Sequence, residues 1–549
     1  MTISLKKLTI SLGVIVGLVL SLVGWTTWST YQAITALKAG QWQKSSQAAG
    51  RALPFISLAN TLSANAISDL VITQSTLSML RALPEVQEGV MTALSEQELQ
   101  PSTKTLIQQT TNSLQTILNE LPNSIIIRRA LSPGQLSQLP DPSTVKKLTE
   151  YFVQSDHTYI VLLQNTQELR ATGGFAGSFA IVTVKHGLPI KVELQDIYQP
   201  DGQFTGFIPA PSGVTEYLSS GRGLRLPDAN WSPDFPTSAE MILAYFAAGT
   251  YQSVDGVVAL NLGVVEKVLG ITDDIFLPDY DIYVTPQNLA QLARADRDSF
   301  FPGSYQKTQF LSHLFKQLRI QLTQLSVAQY RQIATVLSEA VYTQDIQVYS
   351  SDPEMQSVLT QYGLAGALDT QAQLYPEALY LGLIESNVGI NKANKNISRS
   401  VSLELERTTT KVSIRYDNRN PVTPPADLTS PASSQSGALH LHYLNYQRIL
   451  LKPGDTVTGI TMNGKPIATW HEADISTASG ENLRQVGFLV SVYEQSTSTV
   501  EIQVSHSPLS PTPIVVIDHQ AGVPATKYSL LHRLENKQMV IDRDTVLEL

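Results

Sequence analysis

The sequence predicts an α+β multidomain protein. It would have an N-terminal membrane helix and helical stalk, a central α/β domain with a helical insertion, and a C-terminal antiparallel β-sandwich. Three observations carry that expectation. Lys6 and Lys7 precede an uncharged apolar stretch from Leu8 to Trp25. Between residues 145 and 285, strand patterns alternate with helical ones. From residue 398, short alternating segments recur at regular spacing.

The bulk composition sets limits. At 549 residues the chain is too long for one ordinary core. Its hydrophobic content of 42% suits packed domains rather than disorder. A net charge of −9 implies no general affinity for nucleic acid. The absence of cysteine excludes disulfides, a cysteine nucleophile and thiolate metal sites.

Residues 1–28 read as a cytoplasmic tip and anchor. A helix of that apolar stretch rises about 27 Å, enough to cross a bilayer core. The two lysines place the N-terminus inside and the bulk outside the cytoplasm. Trp25 and Trp28 suit the interface, and no small-x-small cleavage site follows Gly24. Residues 29–144 form a helical stalk and linker. AITALKAGQWQKSSQAAGRAL (33–53) resembles one tetratricopeptide-type hairpin, although a plain stalk is the simpler reading. Pro54 and Pro84 are expected to divide it into shorter helices. The α/β core, 145–285, contains a strand from Tyr159, a hairpin around HGLP (186–189), and a helix in PTSAEMILAYFAAGT (236–250). Residues 286–397 read as helical, with an amphipathic stripe through FLSHLFKQLRIQL (310–322). Residues 398–549 read as the sandwich, with a hairpin turn at MNGK (462–465) and a Pro/Ser-rich loop at 420–437.

Candidate chemistry concentrates in VLLQNTQELRATGGFAGS (161–178). A strand running into Asn165, Glu168 and Arg170, then Thr172, Gly173, Gly174 and Gly177, is expected to build a backbone-lined loop. Arg170 suits phosphate, while Glu168 offers oxygen to a divalent cation. Asp196 ends a strand expected at the same sheet end; Asp201 reads as a turn residue. LRLPDANWSPDFPTSAE (224–240) packs Arg225, Asp228, Asn230, Trp231 and Asp234 ahead of a helix, with Asp234 as a candidate cap. HExxH, GxSxG, Walker and Rossmann motifs are missing.

These blocks, with GINKANKNISRS (389–400) and YLNYQRILLKPGD (443–455), resemble the signature blocks of the bacterial family called domain of unknown function 4012. The family name implies no activity. The order of elements across 158–275 is also similar to the LytR-CpsA-Psr family, membrane-anchored proteins that move glycopolymers from polyprenyl pyrophosphate onto the cell wall. By that similarity Glu168 and Arg170 fall in the family's first loop, Asp196 in the second and Asn230 in the third. Together with the residue reading, the candidate catalytic residues are Arg170, Asp196 and Arg225, the candidate ligand contacts are Asn165, Thr172, the three glycines, Asn230 and Trp231, and the candidate Mg²⁺ ligands are Glu168, Asp228 and Asp234. Gln195 stands where that family places an arginine. The expectation is thus a membrane-anchored, extracytoplasmic envelope protein with two open roles. One is binding, and on this similarity transferring, a polyprenyl-phosphate-linked lipid or glycan; the other is a non-catalytic scaffold or glycan binder.

Overall fold

The computed structural model describes residues 25–125 apart from 38, 40 and 97, 141–248, 253–292 apart from 291, 305–368 apart from 323, 375–422 apart from 376, and 441–549 apart from 481 and 534. The expected membrane span therefore lies outside the described residues, except for Trp25. So do most of the linker before 141 and of the Pro/Ser-rich loop. Among the described residues no helix is long and apolar enough to cross a membrane.

The chain divides into two compact units. The first comprises residues 1–157, Thr183–Lys191 and Leu322–Tyr330. Its described part is mostly helical, with long helices at Trp42–Leu62, Ser68–Glu96 and Pro101–Glu120. Small residues make the seam: Ala33, Ala48, Ala49 and Ala52 pack with Leu77 and Leu80. Pro54 and Pro84 lie inside the first two of these helices rather than ending them. An internal proline costs about 3 kcal/mol in a free helix. The packed alanine seam offsets that cost and carries each helix through.

The second unit holds two β systems. In the first, β1 (Asp156–Arg170), β2 (Gly173–Lys185), β3 (Leu188–Asp196), β4 (Gly256–Asn261) and β7 (Ile346–Ser350) make a sheet, of which residues 156–157, 183–185 and 188–191 fall within the ranges of the first unit. The order is β3-β2-β1-β4-β7, with β1 and β4 parallel. The turn between β2 and β3 uses His186 (φ 50°) and Gly187 (φ 83°), the left-handed pair a tight hairpin requires. The helix Phe235–Ala248 covers the sheet, burying Phe235, Ile242 and Phe246 against Ile160, Phe179 and Val257. A small hairpin, β5 (Ile275–Leu277) and β6 (Ile282–Val284), packs with Phe310 and Leu314 of the amphipathic helix Tyr305–Leu322.

The 286–397 stretch is not all helical. β7 (Ile346–Ser350) adds an antiparallel edge to the first sheet. β8 (Leu379–Ile384) is an inner strand of the sandwich, which thus begins before residue 398. Short apolar runs such as LYLGLI have no period that separates strand from helix.

The sandwich contains β9 (Ile397–Leu405), β10 (Thr409–Asn418), β11 (Tyr443–Leu451), β12 (Thr456–Met462), β13 (Lys465–Pro466), β14 (His471–Ser476), β15 (Asn482–Val492), β16 (Ser496–Ser505), β17 (Ile514–Asp518), β18 (Thr526–His532), β19 (Glu535–Ile541) and β20 (Thr545–Glu548). One sheet runs β13-β12-β16-β10-β9-β18-β19, the other β14-β15-β11-β8-β17-β20. Their inner faces share a core that includes Leu403, Ile414, Ile449, Phe488, Ile502 and Ile517. Asn463 (φ 52°) and Gly464 (φ 75°) form the expected MNGK turn. The expected purely antiparallel arrangement is corrected at one place in each sheet: β8–β17 and β9–β18 pair in parallel. The crossover from β16 to β17 makes this possible, because β17 and β18 join strands far earlier in the chain.

Candidate functional site

The expected glycine loop is a β-hairpin. β1 continues through Asn165, Glu168 and Arg170, only Ala171 and Thr172 turn, and all three glycines lie within β2. The polar side chains do not end β1 because each finds a partner there. A Cβ on Gly174 would lie 2.2 Å from the Asn165 carbonyl carbon, so the glycine permits close backbone approach. Gly173 has φ +130°, and a Cβ there would lie 2.3 Å from Asn261 Oδ1 and 2.8 Å from Gln164 Oε1.

Arg170 is 1% exposed at the hairpin end. Its Nε donates to Asp228 Oδ1 at 3.2 Å. One terminal nitrogen donates to the carbonyls of Leu169 (3.2 Å) and Asn387 (2.8 Å), and the other to Glu168 Oε1 (3.3 Å). Four of the five N–H donors of a guanidinium are thus committed. Glu168, 2% exposed, also receives Lys392 Nζ at 2.5 Å. Both cations lie over the Phe175 ring, at 5.3 and 5.7 Å. Burial pushes the Asp228 carboxyl up, and the Arg170 charge opposes that shift. The cluster therefore holds two cations against two carboxylates.

Hydrogen bonds to its backbone carbonyls stitch this hairpin end to the sandwich. Asn387 N–H donates to Leu169 O at 3.0 Å, and Gln520 Nε2 donates to Arg170 O at 2.9 Å. Deeper in, Gln164 Nε2 (2.8 Å) and Asn230 Nδ2 (3.2 Å) both donate to Thr172 Oγ1. Asn230 also donates to the Gly174 carbonyl at 3.0 Å. Gln164 sits opposite Asn261 in the β1–β4 register, at the carboxyl end of the parallel pair.

The remaining candidates have their own partners. Asp196 Oδ1 accepts from Tyr198 N–H at 2.9 Å, and Ile197 N–H reaches the Gly177 carbonyl at 3.4 Å. Asn165 Oδ1 accepts from Gln167 N–H at 3.0 Å. Arg225 Nε donates to Asp201 at 3.0 Å, so Asp201 is an ion-pair partner in the short helix Tyr198–Gln203 rather than a bare turn residue. Asp234 is 1% exposed and accepts from the N–H groups of Thr237, Leu368 and Ala478 at 3.0–3.1 Å. It caps one helix and ties down two distant segments. Trp231 is buried, with the Arg448 guanidinium 4.5 Å above its ring and donating to its carbonyl at 2.8 Å.

Mg²⁺ needs carboxylate oxygens free to face it. Glu168 and Asp228 face Arg170, and the Asp234 oxygens are taken by N–H donors and the Thr237 hydroxyl. These residues as arranged do not fit the ion. The sequence reading missed Lys392, Asn387 and Gln520. The first two lie in or beside the GINKANKNISRS block, the available signal that the segment meets the hairpin.

No curated protein matches the chain. Among solved structures it is similar to a candidate nutrient binding protein of Legionella pneumophila, at 7% identity and TM-score 0.17, over 25% of this chain and 50% of that one. It is also similar to an M1 zinc metallopeptidase of Deinococcus radiodurans, at 8% identity and TM-score 0.15, over 28% of this chain and 39% of that one. The chain spans half or less of those proteins, and likenesses of this size do not establish a shared fold. Across residues 154–297, which hold the hairpin, Asp196 and the Arg225-to-Asp234 loop, the chain matches the model of a family described as protein of unknown function (DUF4012).

Proposed function

We propose that this is a membrane-anchored, extracytoplasmic envelope protein that binds a glycan without turnover. The anchor rests on Lys6, Lys7 and the apolar stretch Leu8–Trp25. One observation favours binding over transfer. Arg170 and Arg225, the cations a transferase would turn on pyrophosphate, are each held by internal carboxylates. A phosphate would have to displace one of these internal pairs, leaving Asp228 or Asp201 without its cation. The transfer reading rests on the similarity in element order to LytR-CpsA-Psr proteins, in which Gln195 already departs from the pattern.

The test is a turnover assay on the full-length protein in vesicles containing a polyprenyl-pyrophosphate-linked oligosaccharide, with Mg²⁺ supplied. No release of polyprenyl phosphate is expected. Release that disappears in a folded Arg225→Lys variant would overturn the non-catalytic reading.

A further inference from the structure

The outer face of the seven-stranded sheet carries a groove of about 530 Å³, within the range of ligand sites. The strand register sets what lines it. In one cross-strand row lie Thr499, Arg415, Ser400 and Lys527. In the next lie Glu501, Ser413, Ser402, Ser529 and Gln538. The floor is thus mostly small hydroxyl side chains, and that leaves the sheet face concave. Val540 adds an apolar edge from β19.

The charges are distributed unevenly. Further along the same face, Lys411 is paired with Glu501 at 2.8 Å and Glu404 at 3.8 Å. Among the described residues, Arg415 and Lys527 have neither a salt bridge nor a side-chain hydrogen bond. They sit two strands apart with Ser400 between them, which is about 10 Å. A chain of net charge −9 therefore presents two uncompensated cations across a hydroxyl-lined trough.

We infer that this groove binds an acidic saccharide, with Arg415 and Lys527 receiving its anionic groups and the serine hydroxyls its sugar hydroxyls. Serine hydroxyls both donate and accept, as sugar hydroxyls do, so the two sets pair without leaving either unsatisfied. The Arg415 fork suits a planar carboxylate, and the ammonium of Lys527 accepts an anion from any direction. The inference rests on the glycan-binding reading but not on the absence of turnover.

The experiment is a calorimetric titration of the full-length protein with oligogalacturonate. Neutral dextran oligomers, orthophosphate and polyglutamate serve as comparators. Oligogalacturonate is expected to bind in preference to all three. Arg415→Ala/Lys527→Ala should weaken it at least tenfold without moving the thermal midpoint. A second variant, Ser402→Trp, fills the groove and keeps both charges; it should weaken binding by a similar factor. Unchanged affinity in both variants would overturn the site. Equal binding of polyglutamate would replace the saccharide with an acidic peptide, and binding of orthophosphate alone would reduce the site to a free-anion one. Turnover in the vesicle assay alongside groove binding would overturn the non-catalytic reading and leave the groove standing.

Discussion

Arg170 and Arg415 are both arginines on β-strands of the same unit, and they do opposite things. Arg170 is 1% exposed and gives four N–H donors to carboxylates and carbonyls of its own chain. Arg415 is exposed on an outer sheet face and, among the described residues, gives none to a partner side chain. The first charge is architecture, because buried ions persist only when paired. The second has no structural duty, so removing it should cost the fold little. The side chain that looked most like a ligand grip in sequence is the one least able to act as one.

The largest expected break of this contrast is Arg170→Met. It leaves Asp228 without a cation and Glu168 with Lys392 alone, and should cost about 3–5 kcal/mol. Urea unfolding would read it as a lower midpoint at unchanged slope. Near-neutral stability would make Arg170 available to a ligand after all. The buried side of the contrast should also depend on pH. Burial pushes the His519 imidazole down from 6.5 to about 4. Its folded form prefers the neutral ring, so its contribution is complete above pH 6.5 and lost as pH falls toward 4. That loss is about 3 kcal/mol, and His519→Gln should flatten the profile over this window.

Gly173→Ala is expected to cost about 1–3 kcal/mol. Its φ of +130° and the 2.3 Å approach to Asn261 Oδ1 leave no room for a methyl group. A thermal midpoint equal to wild type would show that the hairpin end yields. The smallest stability effect belongs to Arg415→Ala and Lys527→Ala, within about 0.5 kcal/mol each. A larger loss in either would mean that the charge has an internal role, and the contrast with Arg170 would fail.

What could be read from the sequence was local. HGLP and MNGK carry the left-handed residues that tight turns demand, and both turns are present. The stripe in FLSHLFKQLRIQL buries Phe310 and Leu314 as its period requires. Arg170 and Asp228 were both candidates, and they do meet. The unread part was long-range. Whether Arg170 is a free cation depends on Asp228, Asn387 and Lys392, and no local pattern says that those positions converge. The parallel pairings of β17 and β18 are hidden for the same reason, since alternation marks a strand without naming its neighbour.

The Gln520-to-Arg170 bond, spanning 350 residues, has a consequence during synthesis. A ribosome adds about 5–20 residues per second, so that interval takes roughly 20–70 s. Throughout it the hairpin end waits with part of its buried polar backbone uncovered. The segment that closes it brings β17 and β18, each the parallel partner of a strand already made. This late segment is therefore the latch, and a chaperone that holds the nascent hairpin would have to release it only then.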